Sequence, residues 1–186
     1  MIEKGIVLKN EIREKIEALE QEHDIKLSTI QKTMMTIKGP ITDVLDVLYG
    51  EVNLFMLDQH FKKSSAEESE LLDISPGEEI DYREVIIHKN GRPLVYVISL
   101  IPLSRCTGEI IDDLKREMLT TGKIIDKHQH ETQRVIKKIS LEDPTATLIE
   151  LFKTDEKMLT REYLIIHEEE IVIWTKESYP LSYFRK

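Results

Sequence analysis

Two charged side chains, Arg83 and Glu177, have residue types and positions suited to ligand binding and proton transfer. Each lies in a run rich in β-branched residues, where side chains alternate between the two faces of a strand. Arg83 is therefore in phase with Ile87, and Glu177 with Ile171 and Ile173. A charge among apolar neighbours is costly unless it meets a partner or a ligand. Both are candidate site residues, although pairing with each other or reaching solvent at the sheet edge would explain the same pattern.

Two similar β-hairpins carry these residues. The first extends over residues 82–101 around Asn90-Gly91, a pair that readily adopts the positive φ angles of a tight hairpin turn. The second extends over residues 159–179 and turns at residues 168–170. Each begins with an Arg-Glu pair and ends at a proline after the same number of residues. We therefore predict that a duplicated strand pair forms one sheet with pseudo-twofold character.

Helices and two further strands are predicted around the hairpins. Ile12, Ile16 and Leu19 recur with helical spacing, so residues 1–27 are predicted to contain an amphipathic helix that belongs to the same domain as residues 28–186. Residues 62–76 are polar and predict a surface loop or short helix; the sequence does not decide whether it forms a flap over a pocket. The remaining apolar periodicity predicts helices at 27–37, 40–50, 109–119 and 145–152, and strands at 52–57 and 132–141.

The composition is typical of a folded single-domain protein. Of 186 residues, 40% are hydrophobic and 33% charged, which excludes the disordered and low-complexity classes. The formal net charge of −9 disfavours a primary role in nucleic-acid binding, because an acidic surface repels phosphate backbones. No apolar run is long enough to span a membrane, and the first residues do not resemble a secretory signal. We therefore expect a cytoplasmic protein.

Other reactive side chains lack the patterns that would give them a function. No phosphate loop or dinucleotide fingerprint is present, so cofactor chemistry is not expected. His128 and His130 could share one face of a strand as a metal pair, but a solvated polar connection is the better interpretation. Cys106 belongs to no nucleophile motif and is predicted to be a partly buried, inert thiol.

The order of these motifs resembles the chorismate lyase family, and most closely its archaeal-type branch. Each motif is short, and the resemblance depends on their shared order and spacing over roughly residues 28–184. The matching segments, in chain order, are Lys38–Thr42, Tyr82–Ile87, Asn90–Pro93, Ile101–Ser104, Thr121–Lys123, Glu131–Arg134 and Thr175–Pro180.

The resemblance implies an α+β fold, with a single domain in which helices pack on an antiparallel sheet of about six strands. It also implies a reaction: the family's enzymes remove pyruvate from chorismate and leave 4-hydroxybenzoate. No metal or organic cofactor takes part in that reaction. The implied partners are small molecules, with neither nucleic acid nor a membrane involved.

The family's functional residues match several positions of this chain. Arg83 matches the arginine that holds the ring carboxylate, which an arginine fork can bind through two hydrogen bonds. Glu177 matches a glutamate at the oxygen of ring position 4; among Ile171 and Ile173 its pKa would rise, and it could donate a proton to the ether oxygen as general acid. Ile41 lies where the bacterial enzymes have a methionine lining the pocket. Thr121 lies where they have a leucine, next to the matched Gly122, so the pocket's shape is expected to differ.

Two further arginines are weaker candidates. Arg134 matches an arginine of the family, and Arg161 is the repeat mate of Arg83 in the second hairpin. For both, a structural ion pair is favoured over contact with substrate.

A binding module without catalysis is the main alternative. The same fold forms the effector-sensing domain of a class of bacterial transcription regulators, which carry a separate basic winged-helix domain. The residues ahead of the matched region predict an acidic helix instead, so the alternative is a stand-alone binder of small aromatic acids. The downstream pathway, of the ubiquinone or the methanopterin type, and the oligomeric state stay open.

Overall fold

A computed structural model describes residues 2–115 and 132–185, with side chains described for residues 11–114 and 132–185. Its strands are β1 (Asn53–Lys63), β2 (Glu79–Lys89), β3 (Arg92–Pro102), β4 (Gln133–Glu142), β5 (Met158–His167) and β6 (Glu170–Pro180). They form one antiparallel six-stranded sheet in the order β1-β2-β3-β6-β5-β4. The α+β architecture implied by the resemblance is confirmed.

Helices cover both faces of this sheet. Within the described residues they are α1 (Ile2–Glu22), α2 (Thr29–Thr36), α3 (Ile41–Tyr49), α4 (Ala66–Leu72), α5 (Gly108–Lys115) and α6 (Ala146–Phe152). The main core lies between one sheet face and helices α1, α2, α3 and α5, and contains Ile16, Met34, Leu45 and Leu114. Within the described residues, no helix is long and apolar enough to cross a membrane.

The sheet consists of two similar halves, which confirms the predicted duplication. In each half a strand is followed by a short helix and then by a hairpin: β1-α4-β2-β3 and β4-α6-β5-β6. Ser65 caps the start of α4 and Thr145 caps the start of α6, each by accepting a backbone N–H bond. The halves meet where β3 pairs with β6, so both hairpins lie at the centre of the sheet.

Equivalent bulges shift the register of both hairpins near their turns. In the first hairpin the shift lies between Ile87 and His88, and in the second between Ile165 and Ile166. Because a one-residue shift moves a side chain to the other face, Ile171 packs with Trp174 rather than on the face of Glu177. The prediction that Ile171 shares a face with Glu177 is therefore wrong.

Residues 62–76 lie against the sheet face opposite Glu177. They include α4, whose Leu72 is buried against Leu100, Leu164 and Trp174. Trp174 points away from the face of Glu177, because it is an odd number of residues away in an uninterrupted stretch of β6. This segment is therefore in the wrong place to act as a flap over a pocket at Glu177.

Candidate active site

A small pocket lies where the N-terminus of α3 meets the centre of the sheet. Its volume is about 50 Å³. The floor comes from strands β2, β3, β5 and β6, and Glu177 is among the side chains that line it. The lining residues are Pro40, Ile41, Thr42, Val85, Ile87, Val97, Ser99, Arg134, Tyr163, Ile165, Thr175 and Glu177.

Glu177 forms a buried ion pair with Arg161. The two residues are directly opposite in the β5–β6 pairing, and the Arg161 Nε to Glu177 Oε2 distance is 2.7 Å. Arg161 Nη1 also donates to the carbonyl oxygens of Met34 and Ile37, at 2.5 and 3.0 Å. Burial by itself would lower the pKa of Arg161, but Glu177 beside it raises that pKa above its ordinary value. Arg161 is thus a fixed cation that ties α2 to the sheet and holds Glu177 in place.

Tyr163 donates a second side-chain hydrogen bond to the Glu177 carboxylate. Its hydroxyl donates to Glu177 Oε1 at 2.9 Å, and its ring lies 5.0 Å from the Arg161 guanidinium carbon. Burial, followed by the charge of Glu177, raises the pKa of Tyr163, so the phenol keeps its proton. Both Glu177 oxygens therefore accept hydrogen bonds, one from the Arg161 cation and one from the Tyr163 hydroxyl.

This geometry differs from the apolar surroundings expected for a general acid. Glu177 was expected among Ile171 and Ile173, but Ile171 is on the other face and the neighbours in contact are Arg161 and Tyr163. The two donors hold both oxygens of the Glu177 carboxylate in fixed positions at the pocket.

Arg83 lies on the same face of the sheet, beside this pocket. It pairs directly with Ser99 of β3, and Ser99 pairs with Thr175 of β6, two residues before Glu177. Arg83 is 1% exposed. Its cross-strand neighbour Ser99 and its strand neighbour Val85 line the pocket, while Arg83 is not among the described lining residues. The structure thus brings the two predicted charges to one buried face, with the pocket reaching Glu177 directly.

A buried aspartate accompanies Arg83. Asp81 is two residues away on β2, fully buried, and its carboxylate accepts bonds from Gln59 Nε2 at 2.9 and 3.2 Å. Burial raises the pKa of Asp81 to about 6, although Arg83, Gln59 and His60 act to lower it. Gln59 Nε2 also donates to the Leu114 carbonyl at 3.0 Å, which connects this cluster to α5.

The other predicted site residues divide into three groups. Ile41 and Arg134 line the pocket, and Arg134 Nη1 donates to the Lys38 carbonyl at 3.1 Å. Arg161 supports the site through Glu177, as the favoured ion-pair interpretation required. Thr121 and Gly122 lie outside the described residues.

Sequence reasoning missed Tyr163 and Thr42 as site residues. Tyr163 is two residues after Arg161 on the same face of β5, so strand alternation around the candidate arginine would have found it. Thr42 is the second residue of α3, beside the predicted Ile41, and only the docking of α3 against the sheet reveals it.

A second, larger cavity lies on the same sheet face near α5. Its volume is about 340 Å³, and Cys106, Ile110, Val172 and Ile173 are among its lining residues. Arg105 also lines it, but this guanidinium donates to three backbone carbonyls, those of Leu72, Asp73 and Ile171. Cys106 is partly buried, as predicted. Burial raises the pKa of its thiol to about 11, which favours the protonated form at neutral pH.

Solved structures with this architecture define the class of fold. PhnF from Mycobacterium smegmatis matches with a TM-score of 0.63 and 12% identity, covering 78% of this chain and 65% of PhnF. A GntR-family transcriptional regulator from Bacillus cereus matches with a TM-score of 0.60 and 12% identity, over 73% and 95% of the two chains. The ligand-binding domain of a GntR-family regulator from Bordetella bronchiseptica matches at 0.58 and 13% identity, over 70% and 84%. The fold is thus one shared with regulators and a ligand-binding domain.

The sequence comparisons identify the family within that fold. The model of the family described as "Chorismate pyruvate-lyase Rv2949c-like" matches residues 35–185. A protein from Methanocaldococcus jannaschii named "Putative lyase MJ0807" is 30% identical over 150 residues, covering 77% of this chain and 73% of that protein. The chain belongs to the Rv2949c-like chorismate pyruvate-lyase family, and the archaeal resemblance seen in the sequence is confirmed.

Proposed function

We propose that this protein is a lyase that eliminates pyruvate from chorismate and leaves 4-hydroxybenzoate. Membership of the chorismate pyruvate-lyase family supports the reaction class. The observation that carries the proposal is the ion-paired Glu177, whose carboxylate lines a pocket walled by Ile41, Val85 and Val97. A fixed, desolvated anion beside an apolar wall is suited to a proton transfer on a ring substrate.

The chemistry needs one proton acceptor and no oxidant. The bond between ring carbon 3 and the ether oxygen breaks, and the electron pair leaves with the enolpyruvate. Ring carbon 4 loses its proton, which makes the ring aromatic and leaves the hydroxyl of 4-hydroxybenzoate in place. Enolpyruvate then takes up a proton and ketonises to pyruvate. Aromatisation drives the reaction, so the protein must mainly hold the reactive conformer and receive the proton.

The side chains of the site then take the following roles. Glu177, paired with Arg161 and oriented by Tyr163, accepts the proton or a hydrogen bond from the group at ring carbon 4. Arg83, on the same sheet face, holds the ring carboxylate. Ile41 forms part of the apolar wall. The sequence predicts a general acid at this position; we propose an acceptor instead, because both Glu177 oxygens already accept hydrogen bonds from Arg161 and Tyr163.

The pocket must widen to admit a ring. Its volume of about 50 Å³ is well below the roughly 300 Å³ at which typical ligand pockets begin. Binding of substrate therefore requires its walls to move. A thermal-stability gain on adding 4-hydroxybenzoate to the wild-type protein that is reduced in Glu177→Gln would show that such a state is accessible.

Release of pyruvate tests the proposal directly. Purified protein is incubated with chorismate, pyruvate is followed with lactate dehydrogenase, and 4-hydroxybenzoate is quantified by liquid chromatography. We expect equal amounts of both products, and a loss of at least a hundredfold in kcat/KM for Glu177→Gln. Glu162→Gln is the matched control, because Glu162 lies on β5 next to Arg161 but pairs with Lys176 on the opposite face. Equal rates for Glu177→Gln and wild type would refute the role of Glu177.

Binding without catalysis is the second candidate, and the fold favours it. The matching ligand-binding domain and regulators show that this architecture also occurs in proteins of another kind. Calorimetric binding of 4-hydroxybenzoate with no pyruvate formed from chorismate would establish this alternative and exclude the lyase.

A further inference from the structure

Two polar groups in the pocket of Glu177 lack a hydrogen-bond partner within the described chain. One is the Thr42 hydroxyl, on a side chain that is 3% exposed. The other is the Nε–H of Arg134, whose Nη1 is bound to the Lys38 carbonyl. Both residues line the pocket. Buried polar groups are nearly always hydrogen-bonded in folded proteins, so two such groups at one pocket indicate that something else supplies the acceptor.

The start of α3 adds further donors at the same place. Pro40 occupies the N-cap position and makes no side-chain capping bond, and Pro40, Ile41 and Thr42 all line the pocket. The first N–H groups of a helix have no intrahelical acceptor and carry partial positive charge, which favours an anion. The acidic residue of this first turn, Asp43, is exposed and is not a lining residue.

The end of the pocket at α3 carries a net positive charge. Glu177 is neutralised by Arg161 at 2.7 Å. Arg134 is the remaining charged side chain among the described lining residues. With the helix terminus beside it, the α3 end of the pocket is electrostatically suited to an oxygen anion rather than to a neutral group.

We propose that the Thr42 hydroxyl, the Arg134 guanidinium and the N-terminus of α3 bind the second carboxylate of a two-carboxylate substrate, the one carried by the ether side chain. The inference rests on the proposed function and deepens it. Arg83 holds the ring carboxylate from β2, so this subsite distinguishes a diacid from the monoacid product. Product then leaves more readily, because it lacks the group that this subsite holds.

Calorimetric titration with two probes tests the subsite without relying on turnover. The diacid probe is 3-(carboxymethoxy)-4-hydroxybenzoate, whose ring is already aromatic and cannot eliminate; the monoacid probe is 4-hydroxybenzoate. We expect Arg134→Gln and Thr42→Val each to weaken binding of the diacid about tenfold, the effect of one charge-assisted hydrogen bond. Binding of the monoacid should stay within about twofold.

Conservative and remote variants serve as controls. Thr42→Ser keeps the hydroxyl and should retain binding of the diacid. Arg13→Gln and Thr33→Val change exposed residues of α1 and α2 and should leave both probes unaffected. With chorismate itself, Arg134→Gln should raise KM about tenfold and leave kcat within about threefold.

Equal loss of both probes, or loss of neither, would overturn the subsite. Equal loss would mean that these groups hold the ring carboxylate or only maintain the fold. The lyase proposal fails separately: a protein that shows the predicted difference between the probes but releases no pyruvate has the diacid subsite and is a binding protein.

Discussion

The two halves of the sheet place an arginine at the same position and surround it differently. Arg83 in the first half and Arg161 in the second each follow the start of a central hairpin, and both are 1% exposed. Across the hairpin, Arg161 is opposite Glu177 and Arg83 is opposite Ser99. The next residue on the same face is Tyr163 in the second half and Val85 in the first. Across its own hairpin, Arg161 thus faces a carboxylate, whereas Arg83 faces the hydroxyl-bearing Ser99.

The difference shows how a duplicated framework acquires an asymmetric site. In the second half, the cation serves to fix an anion and is itself tied to α2 through Met34 and Ile37. In the first half, the nearby acid is Asp81, two residues away on the same strand, where the second half has the apolar Leu159. The second half therefore supplies the fixed anion of the site, and the first supplies the arginine that we assign to the ring carboxylate. Four predictions sharpen this comparison.

Removing Glu177 should destabilise the protein most. Glu177→Ala leaves Arg161 buried without its carboxylate, which should lower the free energy of unfolding by about 3–5 kcal/mol. Urea denaturation at pH 7 measures the change. The double variant Arg161→Met/Glu177→Leu should recover only part of the loss, because it removes the buried charge but also the donor to the Met34 and Ile37 carbonyls. If the effects of Arg161→Met and Glu177→Leu add up to that of the double variant, the pair is not coupled.

Asp81 should make the first half sensitive to pH. Its pKa is about 6 in the folded protein against 3.8 as the unperturbed value, so the folded state holds the proton more tightly than the unfolded chain. Asp81 therefore costs stability progressively as pH rises from about 4 to 6, by about 2–3 kcal/mol in total. Unfolding free energies measured at pH 4, 5 and 7 should show that Asp81→Asn becomes more stable relative to wild type as the pH rises. If the difference in unfolding free energy between the variant and wild type stays constant over this range, burial of Asp81 does not raise its pKa.

Tyr163→Phe should have a smaller effect than loss of the ion pair. It removes the hydrogen bond to the Glu177 carboxylate and leaves the ring in place, which should cost about 1.5 kcal/mol. Val85 is the equivalent residue of the first half, but Val85→Ala is not a suitable control because it creates a cavity. Tyr96→Phe makes the same chemical change on the other face of the sheet and is the matched control. If both phenylalanine variants cost the same in stability and in kcat/KM, the Tyr163 hydroxyl has no special role at Glu177.

The helix caps should give the smallest effects. Ser65→Ala removes a full capping box with Glu68, whereas Thr145→Ala removes a single bond to the Leu148 N–H. We expect losses of about 1 kcal/mol for Ser65→Ala and less for Thr145→Ala, with kcat/KM unchanged in both. Thermal denaturation and the pyruvate assay on the same samples measure the two effects. A change in kcat/KM would mean that the helices on the sheet face opposite Glu177 influence the site.

Much of the fold followed from local signals in the sequence. The Asn90-Gly91 turn and the apolar periodicity of the strands and helices reflect short-range chemistry, and within the described residues these elements appear close to where they were predicted. β1 extends to Lys63, well beyond the predicted strand, because pairing with β2 overrides its polar second half. Propensity alone does not contain such tertiary pairing.

The partner of Glu177 could not be predicted because a bulge decides it. At the turn of the second hairpin, His167 is opposite Glu170, and continuing that register would place Arg161 opposite Lys176. The shift between Ile165 and Ile166 moves the pairing by one residue and brings Glu177 opposite Arg161. Bulges depend on packing around the extra residue, here Val172 in the main core, and leave little trace in sequence.

A crystal structure of the protein with 4-hydroxybenzoate tests the central claim most directly. Two cavities on one sheet face compete for the ring, one at Glu177 and one beside Cys106. We predict that the ring lies between α3 and the strands, with its phenol oxygen within hydrogen-bond distance of Glu177 and its carboxylate toward Arg83. A ring bound beside Cys106, with the pocket at Glu177 unchanged, would contradict this account.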